Sequence, residues 1–285
     1  MSLTSIMESG FSRKIMRAIP FPVDVFQDDN CLACPRSSDY SLIGIAFDYL
    51  LRLEILRANP RAKEEKLVGH LSIEHFQEFG IELNENDRER ILYKTENDYM
   101  EARKEYIKSG ILTDELIENI IKFAMLDYIY RAKSLLYLPN VEPVSKANIE
   151  DMKALHSLIP DYFKIPHRSV RLNPTFGETS MLVGGADVDL IIDGNLIDIK
   201  TVKRMQVTET IWSQLVGYLM LAEEARKHMN FPKIKKFGIY FSRFGKLWLI
   251  DSRYVYENPR YESTKKKLFK LWEDVKNGKI EKLFS

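Results

Sequence analysis

The sequence predicts an α/β protein of the α+β type, with a mostly helical region over residues 1–165 and an α/β core over residues 166–285. Helical periodicity dominates before Pro166, and short apolar runs bounded by turn residues dominate after it. The 285 residues, 45% of them hydrophobic, are enough to bury a substantial core. We therefore expect a helical region that packs against a core containing a sheet.

Each helix of the first region has a recognisable pattern or boundary. Residues 41–56 are apolar on most faces, which predicts a buried helix, and Asn59-Pro60 ends it. Thr113 is a candidate N-cap for a helix that runs to about Tyr137. The remaining predicted helices span residues 67–79, 86–109 and 148–158. Helix 41–56 is assigned to the helical region, with the alternative that it belongs to the core.

The core is predicted from apolar runs and the turn residues between them. Asp193-Gly194 between two such runs is typical of a hairpin, because a type I′ turn needs positive φ at both central residues. The predicted strands are residues 169–172, 179–183, 188–192, 196–199, 237–242 and 246–250, and the predicted helices are residues 208–227 and 261–277. This order favours a sheet with helices packed on it.

Charge is unevenly distributed along the chain, although the formal net charge is only +1. Residues 166–285 contain 21 Lys and Arg against 14 Asp and Glu, whereas residues 1–165 contain 21 against 27. A basic C-terminal half fits a phosphate-bearing partner. An ordinary solvated surface would give the same imbalance just as often.

The Asp193-Gly194 turn fixes a register that gathers charged residues on one face. Asp189 is then opposite Asp198, and Asp187 is opposite Lys200. Cross-strand partners lie on the same face, with Cβ atoms about 5 Å apart. The opposite face carries the apolar residues Val188, Leu190, Ile197 and Ile199. The hairpin therefore predicts three carboxylates and one ammonium on one side of the sheet.

Clustered carboxylates of this kind need compensation. Like charges placed opposite each other destabilise a sheet, and Mg²⁺ is commonly held by one or two carboxylates with water and substrate phosphate. Lys200 cannot neutralise three acids, but it can hold a phosphate oxygen or orient a water molecule. The competing interpretation is a surface ion pair between Asp187 and Lys200, worth less than about 1 kcal/mol.

These residues resemble a known nuclease family. Asp189 followed by Asp198-Ile-Lys200 resembles the signature of the PD-(D/E)XK nuclease superfamily. Gln214-Leu-Val-Gly-Tyr218 is similar to the Q-x-x-x-Y helix motif of its RecB-like branch. Gly44-Ile-Ala-Phe-Asp48 lies roughly where that branch has a G-x-x-x-H motif, with Asp48 in place of the histidine.

The resemblance implies a restriction-endonuclease-like mixed β-sheet flanked by helices, and hydrolysis of phosphodiester bonds with Mg²⁺ or Mn²⁺. The substrate would be nucleic acid, most often DNA, with RNA as the other candidate. Asp189 and Asp198 would bind the metal, and Lys200 would orient water or stabilise charge on the phosphate. Gln214 and Tyr218 would support the site or contact the DNA.

Some assignments within the resemblance stay open. Asp187 is the alternative first acid, because its spacing from Gly184 fits the family pattern. Asp48 is a further candidate ligand, and a pair with Arg52 on its own helix is the alternative. Glu178 is another candidate metal ligand. Candidate phosphate-binding cations, or ordinary solvated residues, are Lys203, Arg204, Lys235, Lys236 and Arg243.

Several cofactors and locations are not expected. The apolar runs fall far below the roughly 20 residues that cross a bilayer, and no signal-peptide layout is seen, so a cytoplasmic protein without a membrane partner is expected. Cys31 and Cys34 form at most half a metal site, so we expect reduced thiols on a loop and no iron–sulfur cluster. The chain has no GxxxxGK(S/T) motif, and no nucleotide cofactor is expected.

An alternative function is a non-catalytic module with a nuclease-like fold that binds nucleic acid or a protein. The basic C-terminal half favours a nucleic-acid partner, and the unassigned helical region is a candidate surface for a protein partner. A purely structural scaffold is disfavoured, because it would not need clustered acids.

Overall fold

The computed structural model describes residues 3–22, 28–79, 82–132 and 143–279. Within these ranges, a mixed six-stranded sheet has helices on both faces, which confirms the predicted α/β class. In the same ranges, no helix is both long enough and apolar enough to pass through a lipid bilayer.

The described residues form eleven α-helices and six strands. The helices are α1 (Leu3–Met7), α2 (Gly10–Met16), α3 (Tyr40–Ala58), α4 (Val68–His75), α5 (Glu85–Arg88), α6 (Lys94–Ser109), α7 (Asp114–Ala132), α8 (Lys146–Ser157), α9 (Glu209–His228), α10 (Arg253–Tyr256) and α11 (Tyr261–Lys276). The strands are β1 (Lys63–Glu64), β2 (Val170–Leu172), β3 (Leu190–Ile192), β4 (Asn195–Lys200), β5 (Lys236–Phe241) and β6 (Lys246–Asp251).

Helices α3 to α8 agree with the predicted helices of the first region, whereas α1, α2 and β1 were not predicted. α3 is buried along most of its length, because α6, α7 and α8 all pack against it. The Leu116 amide donates to Thr113 Oγ1 over 3.1 Å, so Thr113 caps α7 as predicted. The predicted helix 86–109 contains a π-helical turn at Glu89–Tyr93 between α5 and α6. The predicted end near Tyr137 lies outside the described residues.

The strands follow one another across the sheet in chain order. β1 is parallel to β2 and β4 is parallel to β5, whereas the other neighbours are antiparallel. The β3–β4 hairpin has the predicted register, with Leu190 opposite Ile197. Asp193 and Gly194 have φ values of 52° and 85°, the positive φ that the predicted type I′ turn requires.

Residues 179–183, predicted as a strand, form part of a 3₁₀ helix at Gly177–Val183 instead. Ser180 Oγ donates to the Gly177 carbonyl over 2.7 Å, and Gly184 ends the turn with φ 73°. Small polar residues that bond to nearby backbone compete with sheet pairing in this way. This prediction was wrong because local hydrogen bonds satisfy the segment without a partner strand.

The sheet separates two hydrophobic clusters. One cluster, here called the α3 side, is formed by α3, α4, α6, α7 and α8 with one face of the sheet, including Leu190 and Ile197. The other, called the α9 side, is formed by α1, α2, α9 and α11 with the opposite face, including Ile191 and Leu196. Because side chains alternate along a strand, neighbouring residues of β3 and β4 belong to different clusters.

The predicted orientation of Val188 is wrong. Val188 packs in the α9-side cluster, whereas Leu190, with which it was expected to share a face, packs on the α3 side. Its amide donates to the Pro174 carbonyl over 3.2 Å, so the segment before Leu190 is no longer paired with β4. Ile197 and Ile199 lie on the predicted side, because β4 is regular to its end.

Candidate active site

A cavity of about 320 Å³ lies where the C-terminal end of β4 faces α3 and α9. Its wall contains five carboxylates: Asp48, Asp127, Asp187, Asp189 and Asp198. The same wall contains three cationic side chains: Arg52, Arg131 and Lys200. Four of the acids that the sequence suggested as metal ligands therefore share one cavity with the predicted lysine.

Asp189 lies just beyond the last ladder pair of the hairpin. Its carboxylate accepts a hydrogen bond from the Ile199 amide over 2.5 Å, and its carbonyl accepts from the Asn173 amide over 2.8 Å. Burial, followed by the nearby charges of Asp198 and Asp48, raises the pKa of Asp189 well above its ordinary value. A cation in the cavity would offset this repulsion between the carboxylates.

Asp187 does not form the predicted cross-strand pair with Lys200. Asp187 instead bridges to Thr175, and Gly184 and Gly185 turn the chain there with φ values of 73° and 106°. The prediction extended the hairpin register too far, because the glycines redirect the backbone before the ladder reaches this point. Asp187 still lines the cavity, so both candidates for the first acid face it.

Asp198 is the most enclosed acid of the hairpin, with 4% of its surface exposed. Its Oδ2 lies 2.8 Å from Lys200 Nζ, but the contact lacks hydrogen-bond angles. Across the described ranges, no other side chain or amide donates to this oxygen. A buried carboxylate oxygen with unused lone pairs is suited to a bound cation.

Lys200 is held from the other side by α9. Its Nζ donates to Gln214 Oε1 over 3.2 Å, and Gln214 Nε2 donates to Tyr218 Oη over 2.9 Å and to Thr4 Oγ1 over 3.1 Å. Although burial opposes a charge here, Asp198 and Asp189 outweigh it and raise the pKa of Lys200. The predicted Gln214 and Tyr218 therefore share one face of α9 and orient the lysine.

Asp48 both pairs with Arg52 and lines the cavity. Arg52 Nε donates to Asp48 Oδ1 over 3.1 Å, and Nη2 makes a second contact with Oδ2. Burial is the main cause that raises the pKa of Asp48; Arg52 opposes it and Asp187 adds to it. The two interpretations of Asp48 are thus compatible, but Arg52 already occupies its carboxylate.

The helical region contributes residues that the sequence analysis did not single out. Tyr49 Oη donates to Asp127 Oδ1 over 2.6 Å, and Arg131 Nη2 lies 3.8 Å from Asp127 Oδ2. Burial raises the pKa of Asp127 to about 7. The signal was present: Asp127 interrupts the apolar stretch that starts at Phe123, and Arg131 follows one turn later on the same face.

Arg243 was predicted as a surface cation for nucleic acid, and this prediction is wrong. Its side chain is 1% exposed and forms two contacts with Asp151, of 2.7 and 3.0 Å. It also donates to the Ala33 carbonyl over 2.7 Å. Arg243 follows β5 in a turn that faces α8, and sequence patterns at this turn do not distinguish a buried from an exposed arginine.

The other predicted cations are exposed and do not line the cavity. Lys203 lies near the same end of β4, where its Nζ donates to Tyr40 Oη over 2.8 Å. Arg204 faces Asp29 at 3.9 Å. Lys235 and Lys236 lie at the opposite end of the sheet, because Lys236 is opposite Asn195, the first residue of β4.

Glu178, a predicted metal ligand, is not brought to the cavity. It is exposed on the 3₁₀ helix Gly177–Val183 and does not contribute to the cavity wall. The predicted strand 179–183 would have placed Glu178 beside the sheet. Because the segment turns instead, the side chain faces solvent.

Cys31 and Cys34 are free thiols on a loop. Cys34 Sγ donates to the Cys31 carbonyl over 3.2 Å. Burial, together with the neighbouring Cys34, raises the pKa of Cys31 to about 11. A thiol with so high a pKa is a poor nucleophile and a poor metal ligand at neutral pH.

The donor set fits a hard divalent cation held by few protein ligands. Of the described residues that line the cavity, none is Cys or His, and oxygen donors suit Mg²⁺ or Mn²⁺. In the part of the chain that the structure describes, no group of three His, Cys, Asp or Glu side chains is placed so that it could hold a metal ion. Asp189 and Asp198 would be the protein ligands of such an ion, with water and phosphate completing its shell.

Comparisons with known proteins give no match: no family model, no curated protein and no solved structure matches this chain.

Proposed function

We propose that the protein is a metal-dependent nuclease that hydrolyses phosphodiester bonds in nucleic acid, with DNA as the leading substrate. The observation that supports it best is the grouping of Asp189, Asp198 and Lys200 in one cavity wall at the end of the β3–β4 hairpin. A mixed sheet with helices on both faces agrees with the architecture that the PD-(D/E)XK resemblance implies.

The roles follow from the contacts of each side chain. Asp189 and Asp198 would hold Mg²⁺ or Mn²⁺, which when bound polarises a phosphoryl oxygen and activates water. Lys200 would place its charge beside the phosphate, where a positive group stabilises the negative charge that develops in the transition state. Gln214 would fix the direction of Lys200 through the hydrogen bond of 3.2 Å.

Electrostatics support a cation at this position. Asp198 is buried and Asp189 is half-buried, and burial together with the charge of Asp198 raises the pKa of Asp189. Two ionised carboxylates in one buried site are unfavourable unless a cation balances them. A divalent ion would satisfy Asp198 Oδ2, for which the described residues provide no hydrogen bond.

The test is a cleavage assay with linear, circular and single-stranded DNA, in Mg²⁺, in Mn²⁺ and in EDTA. The proposal expects metal-dependent cleavage that Lys200→Ala and Asp198→Asn abolish. Lys266→Ala, at an exposed position of α11, is the matched control and should cut like wild type. Equal background cleavage by wild type and Lys200→Ala would remove the catalytic proposal.

One observation favours the alternative, a non-catalytic binding module. Two of the acids already have a protein cation beside them, since Arg52 contacts Asp48 and Lys200 contacts Asp198. A module of this kind needs no ion. Titration with Mn²⁺ separates the two functions, because only the nuclease should bind the ion through Asp189 and Asp198.

A further inference from the structure

We propose that a basic pocket at the C-terminal end of α3 binds phosphate groups in the backbone of a nucleic-acid strand. The pocket has a volume of about 390 Å³ and lies between the end of α3, β1 and β2. Four cationic side chains line it: Arg61, Lys63, Arg168 and Arg171. None of the described residues in its lining is Asp or Glu. Such binding needs neither a metal nor Lys200, so it is independent of the proposed cleavage.

Three of the four cations are exposed and available to a ligand. Within the described ranges, the side chains of Arg61, Lys63 and Arg168 form no ion pair and no hydrogen bond. Arg171 is fixed: its Nη2 donates to the Asn230 carbonyl over 2.8 Å, and its guanidinium lies 5.8 Å from the centre of the Phe231 ring. Four neighbouring like charges attract a polyanion, and a phosphate chain offers several contacts at once.

The carboxylate of Asp193 lies beside the lining residues His167 and Ser169, and it already has partners. His167 Nδ1 lies 3.1 Å from its Oδ2, and the Ser169 amide donates to its Oδ1 over 3.0 Å. Although burial acts in the opposite direction, these hydrogen bonds lower the pKa of Asp193. The carboxylate is therefore used to hold the β3–β4 turn, and its partners among the described residues are His167 and Ser169 rather than the side chains of the four cations.

The pocket and the carboxylate cavity lie at different points along α3. Asp48 faces the cavity and Ala58 lines the pocket, which places them roughly 15 Å apart along the helix at 1.5 Å per residue. A strand that reaches from the pocket to the cavity therefore needs several nucleotides, whereas a dinucleotide offers a single phosphodiester.

The test measures binding by the full chain in EDTA, so that cleavage plays no part. The probe is a labelled single strand of roughly 20 nucleotides, followed by fluorescence anisotropy over a series of salt concentrations. The variant combines Arg61→Gln, Lys63→Gln and Arg168→Gln. It should bind at least about tenfold more weakly, and its log–log salt slope should fall by roughly 2, since each single-strand phosphate contact contributes about 0.7.

A matched control removes the same charge elsewhere. The control variant combines three substitutions on the exposed face of α11: Lys266→Gln, Lys267→Gln and Lys270→Gln. Its affinity and salt slope should stay close to those of wild type. Thermal melting of both variants checks that they fold. An unchanged salt slope in the pocket variant, or an equal loss in the control, overturns the proposal.

Two further arms identify the ligand. A strand of roughly two nucleotides should bind wild type and the pocket variant more nearly alike than the long strand does, because it offers a single phosphodiester and so loses fewer contacts in the variant. Inorganic phosphate should compete only weakly with the long strand. If phosphate alone binds the pocket and the strand does not, the pocket takes a small anion and the nucleic-acid proposal fails. If the wild-type protein binds the strand through the pocket but does not cleave DNA, only the nuclease proposal fails.

Discussion

Lys200 and Asp198 lie two residues apart on the same face of β4, with Nζ 2.8 Å from Oδ2. Both face the α9 side, where Gln214 Oε1 accepts a hydrogen bond from Lys200. The attraction within a buried pair is largely offset by the loss of hydration, so the pair itself adds little stability. Removing one partner, however, leaves a buried charge uncompensated. Substitutions here should therefore change stability and activity together.

Lys200→Met should lower both stability and activity, because it keeps most of the side-chain volume and removes the charge. Asp198 and Asp189 would lose their nearest cation, which should cost about 1–3 kcal/mol of unfolding free energy in EDTA. Cleavage should fall at least about a hundredfold. Urea unfolding and single-turnover cleavage measure the two effects, with Lys266→Met as the exposed control. Cleavage at the wild-type rate by Lys200→Met would contradict the role given to this lysine.

Arg243→Met should destabilise the protein without any direct role in nucleic-acid binding. The substitution leaves Asp151 buried and unpaired, which should cost about 3–5 kcal/mol of unfolding free energy. Arg253→Gln is the matched control, because its partner Asp251 is exposed and the substitution should have almost no effect. Urea unfolding of the two variants compares them. Equal stability of the two variants would show that the Arg243–Asp151 pair is not structurally important.

The β3–β4 hairpin could be predicted because its signals are local. Asp193-Gly194 sets the turn, the turn sets the register, and the period of two along β4 places Asp198 and Lys200 on one face. Gln214 and Tyr218 were also accessible, since a spacing of four puts them on one side of a helix. Patterns within a few residues of each other therefore identified Asp198 and Lys200 on β4, and Gln214 and Tyr218 on α9, as parts of the cavity wall.

The misses arise where distant segments meet. The burial of Arg243 depends on α8, more than eighty residues earlier in the chain, and no local pattern contains that partner. Asp127 joins the cavity only because α7 packs against α3. Residues 179–183 have strand-like composition, but Ser180 Oγ donates to the Gly177 carbonyl. Tertiary packing determined the first two cases, and a hydrogen bond from a side chain to the backbone determined the third. Sequence periodicity predicts neither of these effects.

Asp127 should make the stability of the protein depend on pH. Its pKa is about 7 in the folded chain and about 4 when unfolded, so the folded state binds the proton more tightly. The unfolding free energy from this group is therefore greatest below about pH 4 and falls as pH rises to about 7. The full effect is on the order of 4 kcal/mol.

Asp127→Asn isolates this contribution. The amide oxygen can still accept the hydrogen bond from Tyr49, but the amide does not titrate. Relative to wild type, the variant should gain stability steadily between about pH 4 and pH 7 and then no further. Urea unfolding at a series of pH values measures the difference. A difference that stays constant with pH would mean that Asp127 is not the group responsible.

Asp189→Asn should reverse its effect on stability when metal is added. In EDTA near neutral pH, the variant should be at least as stable as wild type, because burial and the charge of Asp198 disfavour the ionised form of Asp189, whereas the amide is neutral and still accepts from the Ile199 amide. With Mg²⁺ or Mn²⁺ at about 100 times its dissociation constant, wild type should gain about 2.7 kcal/mol and the variant much less. The gain should grow as pH rises, because the raised pKa of Asp189 means that the ion must displace a proton. Thermal unfolding with and without metal measures both effects, and Asp161→Asn, at an exposed acid outside the cavity, should keep the full wild-type response. A metal response that is equal in wild type and Asp189→Asn would place the ion elsewhere and remove Asp189 from the site.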